Sequence, residues 1–183
     1  MKEWNILGNK LVKRGNLLTG LKIDKLVFTG PDTDLEIGLT PNAVWRGGLV
    51  KAQNGREFIP NLPIGADDNR EILEKYFEID DGASYLGEVA LVDINSEVYK
   101  SGLILNSILY DENAACHIAL GRGIPMCFSN KDEIITPADM KLNKCNESVV
   151  HTDFMIGSEF INVRATDYDG LEHQIIKDGL FVI

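Results

Sequence analysis

The chain has 183 residues, and 44% of them are hydrophobic against 25% charged, the balance of a globular domain and not of a disordered tail. Lys and Arg number 18 against 28 Asp and Glu, a formal net charge of −10, so no nucleic acid or anionic membrane surface is expected as a partner. No apolar run is long enough to cross a membrane, and Met1-Lys2-Glu3-Trp4-Asn5 does not read as a signal peptide.

In chain order, Trp4, Leu7, Leu11, Val12 and Leu18 fall mostly at helical spacing, which predicts an amphipathic helix packed on a sheet. Lys25-Leu26-Val27-Phe28 predicts a short strand closed by Thr29-Gly30-Pro31, and the alternation of Asp34-Leu35-Glu36-Ile37-Gly38-Leu39 predicts a half-buried one. Val44-Trp45 and Glu57-Phe58-Ile59, beside the Gly47-Gly48 and Asn54-Gly55 turns, extend these into an antiparallel meander. Pro60 to Asp68 is a connection, followed by a helix from Asp68 or Asn69 to about Ile79. Leu86–Val92 is apolar enough for a buried strand or a helix end, and Leu103–Tyr110 is a further strand candidate. A short helix from Asp111 toward Gly121 comes next, then a loop-rich stretch from 122 to 147. Strands at Val149–Ile156, Phe160–Val163 and Leu180–Ile183 complete the chain. The expected class is α+β, with a mixed, largely antiparallel sheet and a few short helices.

Cys116, Cys127 and Cys145 form no C-x-x-C pair and are odd in number, which argues for free thiols and a cytoplasmic location. A Cys116 nucleophile beside His117 is disfavoured, because neighbours on a helix diverge by about a hundred degrees. No G-x-S-x-G elbow, dinucleotide fingerprint or phosphate-binding loop is present. His151 and Asp153 sit two apart, so on a strand both point to one face and can converge on a cation such as zinc, cobalt or manganese. His117 is either a ligand or a hydrogen-bonded structural histidine. His173, in Glu172-His173-Gln174, reads as solvated. Glu88 is a carboxylate inside the apolar run Leu86–Val92 and needs a partner, either a metal or a basic side chain.

Three ordered segments carry a resemblance: Leu86-Gly87-Glu88-Val89-Ala90-Leu91-Val92, Asp111-Glu112-Asn113-Ala114-Ala115-Cys116-His117-Ile118-Ala119-Leu120-Gly121 and His151-Thr152-Asp153-Phe154-Met155-Ile156-Gly157. Together they resemble the C-terminal catalytic region of the M29 metallo-aminopeptidases, the aminopeptidase T and aminopeptidase S group. Thr33-Asp34-Leu35, Gly38-Leu39 and Pro60-Asn61-Leu62-Pro63 match the approach to that region. The resemblance implies removal of N-terminal residues from short peptides by two adjacent divalent metals, with Glu88, His117, His151 and Asp153 on four of the ligand positions. It also implies a homodimer.

Two departures stand out. After Pro63 the family continues Thr-Glu-Glu-Val and supplies a further metal-binding Glu, whereas this chain runs Ile64-Gly65-Ala66-Asp67-Asp68, with Asp67 or Asp68 a weak substitute. Seven residues after His117 the family has an active-site Tyr, and this chain has Ile124. On this resemblance, residues 1–183 are expected to form one domain like the family's C-terminal catalytic domain, with the N-terminal domain absent and an internal deletion near 63–66. The expected function is a metal-dependent aminopeptidase, and the alternative is a metal-binding or structural relic without turnover.

Overall fold

Strand-forming sequence dominates the described chain, and the elements are mostly short strands. The computed structural model describes residues 3–7, 10–13, 16–31, 33–38, 46–47, 75–125, 136–142 and 145–183. The strands are β1 (Glu3–Leu7), β2 (Lys10–Lys13), β3 (Asn16–Gly30), β4 (Thr33–Gly38), β5 (Arg46–Gly47), β6 (Leu86–Val92), β7 (His117–Gly121), β8 (His151–Met155), β9 (Asn162–Asp167), β10 (Glu172–Lys177) and β11 (Leu180–Phe181). The helices are α1 (Glu97–Ser101), α2 (Ile108–Asp111), which runs into a 3-10 turn at Glu112–Ala114, and α3 (Pro137–Leu142). Every pairing among the described strands is antiparallel, and with these few short helices the class is the expected α+β.

The strand order is β11-β10-β9-β3-β2-β1-β6-β7-β8, with β4 also on β3 and β5 on β4. The long β3 joins the two halves. Its first part pairs with β2, and its second, from Ile23 or Lys25 onward, pairs with β9 and β4. Leu35 and Ile37 of β4 are buried while Asp34 is exposed, the alternation its sequence predicts. They pack with Ile23, Leu26 and Phe28 of β3, Val163 and Ala165 of β9, and Val89 and Leu91 of β6 in one core.

Three expectations are corrected. The helix over Trp4–Leu18 is replaced by β1, β2 and the start of β3. The pairs Leu7↔Lys10 and Lys13↔Asn16 leave links of two residues, each with a glycine, which is hairpin spacing. β1 also pairs with β6 through Trp4↔Leu91 and Asn5↔Ala90, a long-range partner that local periodicity does not reveal. Leu103–Tyr110 is not a strand. The Asp111 carboxylate accepts the amides of Leu105 (2.8 Å) and Ser107 (3.0 Å), which takes from a ladder the donors it would need. The helix expected up to Gly121 stops at Ala114, and β7 follows. Gly121 closes a strand at φ 95°, a backbone angle open to glycine, and not a helix.

Residues 75–77 are helical, so the expected helix stops two residues short of Ile79, and its span before residue 75 lies outside the described residues. So do Val44-Trp45, Glu57-Phe58-Ile59, the Pro60–Asp68 connection and Cys127.

Candidate metal centre

Three adjacent strands, β6, β7 and β8, set one row of side chains across the sheet. Glu88 lies opposite Ala119, and Ala119 opposite Asp153. Residues directly opposed across antiparallel strands share a face, as do residues two apart on one strand. His117 and His151, each two residues from a member of that row, therefore stand on the same face. The structure thus brings Glu88, His117, His151 and Asp153 together around the small side chain of the fully buried Ala119. His117 reaches this place from the first position of a strand and not from a helix.

The distances are short. His151 Nε2 lies 3.3 Å from Glu88 Oε2 and 3.4 Å from Asp153 Oδ1, and His117 Nε2 lies 3.9 Å from Glu88 Oε1. Both rings are oriented from behind. His117 Nδ1 is 3.0 Å from the carbonyl of Ala115, and His151 Nδ1 is 2.6 Å from the carbonyl of Arg122. A carbonyl can only accept, so each Nδ1 carries a proton and each Nε2 is turned to the carboxylates.

A fifth group joins them. Glu112, at the start of the 3-10 turn, lies with His117 and Asp153 in one set of ligand atoms within 4.8 Å of one another, and Glu88, His151 and Asp153 form a second such set. Asp153 belongs to both. Glu112 was not among the ligands expected from the sequence. The signal available was a carboxylate five residues before a candidate ligand, but five residues matches neither helical nor strand periodicity.

The electrostatics of this face favour a cation. The Asp153 carboxylate, and then that of Glu88, hold the His151 imidazole protonated, with a pKa pushed up to about 10. Burial, and then the charge of Asp153, push the Glu112 carboxyl up. Asp153 Oδ1 is buried without a hydrogen bond, and His151 Nε2 stands 3.4 Å from it. Leaving a buried carboxylate oxygen unpaired costs on the order of 1–3 kcal/mol or more. An orphaned buried oxygen among two imidazoles and two further carboxylates fits a divalent ion, and imidazole with carboxylate suits zinc, cobalt or manganese.

Other candidates fall away. The Cys116 thiol is wholly buried, bonded at 3.3 Å to the backbone of Val92, and burial pushes its pKa up to about 12, so it is no nucleophile. His173 is not solvated. It sits half-buried on β10 with Nε2 2.8 Å from Asp167 Oδ2. Ile124, seven residues past His117, is half-buried and brings no polar atom.

Comparison with known proteins places this geometry in context. The profile of the thermophilic metalloprotease family M29 matches residues 1–65 and 64–181. Aminopeptidase T of Thermus aquaticus is 30% identical over 224 aligned positions, covering 98% of this chain and 54% of that protein. Aminopeptidase 2 of Geobacillus stearothermophilus is 29% identical, covering 96% of this chain and 53% of that protein. The solved structure of wild-type AmpT from Thermus thermophilus superposes with a TM-score of 0.65 at 26% identity, over 88% of this chain and 50% of that one. The chain spans about half the length of the curated relatives it matches.

Proposed function

This chain belongs to the M29 family of thermophilic metalloproteases, and from that premise we propose that it is a metal-dependent aminopeptidase region acting on short peptides at the face of β6, β7 and β8. The observation that carries the reading is Asp153. It belongs to both ligand groups, Glu88–His151–Asp153 and Glu112–His117–Asp153, so the five side chains would supply three donors to each of two divalent ions. Bound divalent ions would polarise the scissile carbonyl and lower the pKa of a water at the site. The protein's own part is placement. Ala115 and Arg122 aim the two imidazoles, Ala119 leaves the room between the carboxylates, and the carboxylates offset the charge gathered there. The match in two segments meeting near residue 64 supports the expected internal deletion, which removes the family's further Glu.

A second reading is a metal-binding relic without turnover. Ile124 favours it, because an aliphatic side chain neither binds a metal nor donates a proton where the resembled family carries Tyr. One experiment separates the two: metal content by mass spectrometry after loading with zinc, cobalt or manganese, together with release of chromophore from amino-acyl substrates, against a His151→Ala control. Two ions with turnover above the control support the aminopeptidase. One ion, or two, without turnover above the control supports the relic. No bound metal under any loading rejects both.

Homodimer formation and a cytoplasmic location complete the proposal. Leu103, Ile104, Leu105, Ile108, Leu109 and Tyr110 are all exposed, an apolar face that supports self-association. Light scattering across a concentration series tests it. The buried free thiols of Cys116 and Cys145 suit a reducing compartment.

A further inference from the structure

β6 carries an irregularity at the point where the candidate metal face begins. Leu86 pairs with Leu120 and Glu88 with Ala119, so two steps along β6 meet one step along β7, and Gly87 is the extra residue. A bulge of this kind re-aims the side chains that follow it. Its residue type is decided by space. A Cβ at Gly87 would stand 2.5 Å from the Arg122 carbonyl oxygen and 2.6 Å from that of Gly121, closer than real Cβ atoms come. The crowding atoms are backbone and have little room to yield. The Arg122 amide donates to Val150 O at 2.6 Å, the Gly123 amide donates to Asn146 O at 2.8 Å, and Asn146 Nδ2 donates to Gly121 O at 2.5 Å and to Gly82 O at 2.8 Å. The same Arg122 oxygen accepts the Nδ1 proton of His151 at 2.6 Å.

We propose that Gly87 is a positioning residue for the metal face: by lacking a side chain it lets the Arg122 carbonyl sit where it fixes the tautomer and direction of His151. This inference rests on the reading of His151 as a metal ligand. Any larger residue at 87 must push that carbonyl away and, with it, the hydrogen bond that turns Nε2 toward Glu88 and Asp153. Loss of such an outer partner lowers metal affinity by about 10–100-fold in comparable sites.

The test uses the full chain and two readouts. Zinc or manganese affinity is measured by titration, and the ring nitrogens of His117 and His151 are followed by long-range proton–nitrogen NMR. In Gly87→Ala the expected result is a metal affinity about 10–100-fold lower and a changed Nδ1 signal for His151, with the Nδ1 signal of His117 unmoved because its partner, the Ala115 carbonyl, is not among the atoms that crowd Gly87. Unchanged affinity with an unchanged His151 signal overturns the proposal, as does an equal disturbance of both histidines in a folded variant. If Gly87→Ala does not fold, Asn146→Ala removes the side-chain donor to the Gly121 carbonyl, one of the two that crowd Gly87, without adding a Cβ inside the sheet. It should move His151 alone, and failure to do so overturns the proposal. If the unmodified chain binds neither metal, the metal-centre reading itself fails. If it binds and both variants bind equally well, only the role of Gly87 fails.

Discussion

Asp153 sits where the two ligand groups meet, so its removal should cost more than that of any single-group member. Asp153→Asn keeps size and shape but gives up the negative charge. We expect it to lower affinity for both ions by more than about 100-fold, beyond the range seen for outer-shell partners. Glu112→Gln should spare the Glu88–His151–Asp153 group and retain one equivalent. Metal content after dialysis against zinc reads both variants, and an Asp153→Asn chain that keeps two equivalents would refute the shared-ligand arrangement. At this scale, what was readable followed periodicity. Glu88 stood out as a carboxylate in an apolar run, and His151 and Asp153 as a pair at strand spacing. Glu112 did not, because it reaches the site from the turn that precedes β7, and only the folded path of 111–117 shows that it arrives beside His117 and Asp153.

Among the elements, strands announced by alternation or by apolar runs were legible, as β4 and β6 show. Those defined by their partners were not. β1 and β2 carry helical spacing yet form hairpins, and β10 reads as polar because its outward residues, Glu172 and Lys177, bracket the buried pair Ile175 and Ile176. The β6-β7-β8 register yields a sharp prediction. Ala119 lies between Glu88 and Asp153, so Ala119→Leu should abolish metal binding by filling the space between them. A buried insertion of this kind also destabilises by about 1–3 kcal/mol. Denaturant melts check that the sheet persists, and a folded Ala119→Leu that binds metal normally would contradict the register. A second prediction belongs to the β9–β10 hairpin. His173 and the amide of Leu171 hold the Asp167 carboxyl below its ordinary value. A depressed carboxylate contributes stability above the unfolded pKa of 3.8 and loses it as pH falls through the lower folded value. The native chain should therefore exceed Asp167→Asn in melting temperature at pH 6. The gap should close as pH falls below about 4. A gap that stays constant across that range would mean the charge of Asp167 contributes nothing.

Across the whole molecule, four of the five candidate ligands come from one end of a long sheet and Glu112 from the turn before β7, while most of the apolar core lies on β3, β4, β9 and β10. Three of the five are carboxylates, so folding gathers negative charge on one face of β6, β7 and β8. Part of the −10 net charge is thus concentrated where a cation would offset it. Ions that bind only the folded chain stabilise it by mass action, by about 2.7 kcal/mol at a hundred times the dissociation constant. For a chain of this size each kcal/mol raises the melting temperature by about 2–4 °C. Saturating zinc or manganese should therefore raise it by about 5–11 °C per bound ion over the chelated protein. Asp153→Asn should remove most of that rise, because it weakens both ligand groups at once. Gly87→Ala should reduce it only in part, since a misdirected His151 still leaves Glu88 and Asp153 in place. Scanning calorimetry with and without chelator measures all three. Equal melting temperatures for the native chain in metal and in chelator would show that the β6-β7-β8 edge reaches its fold without an ion.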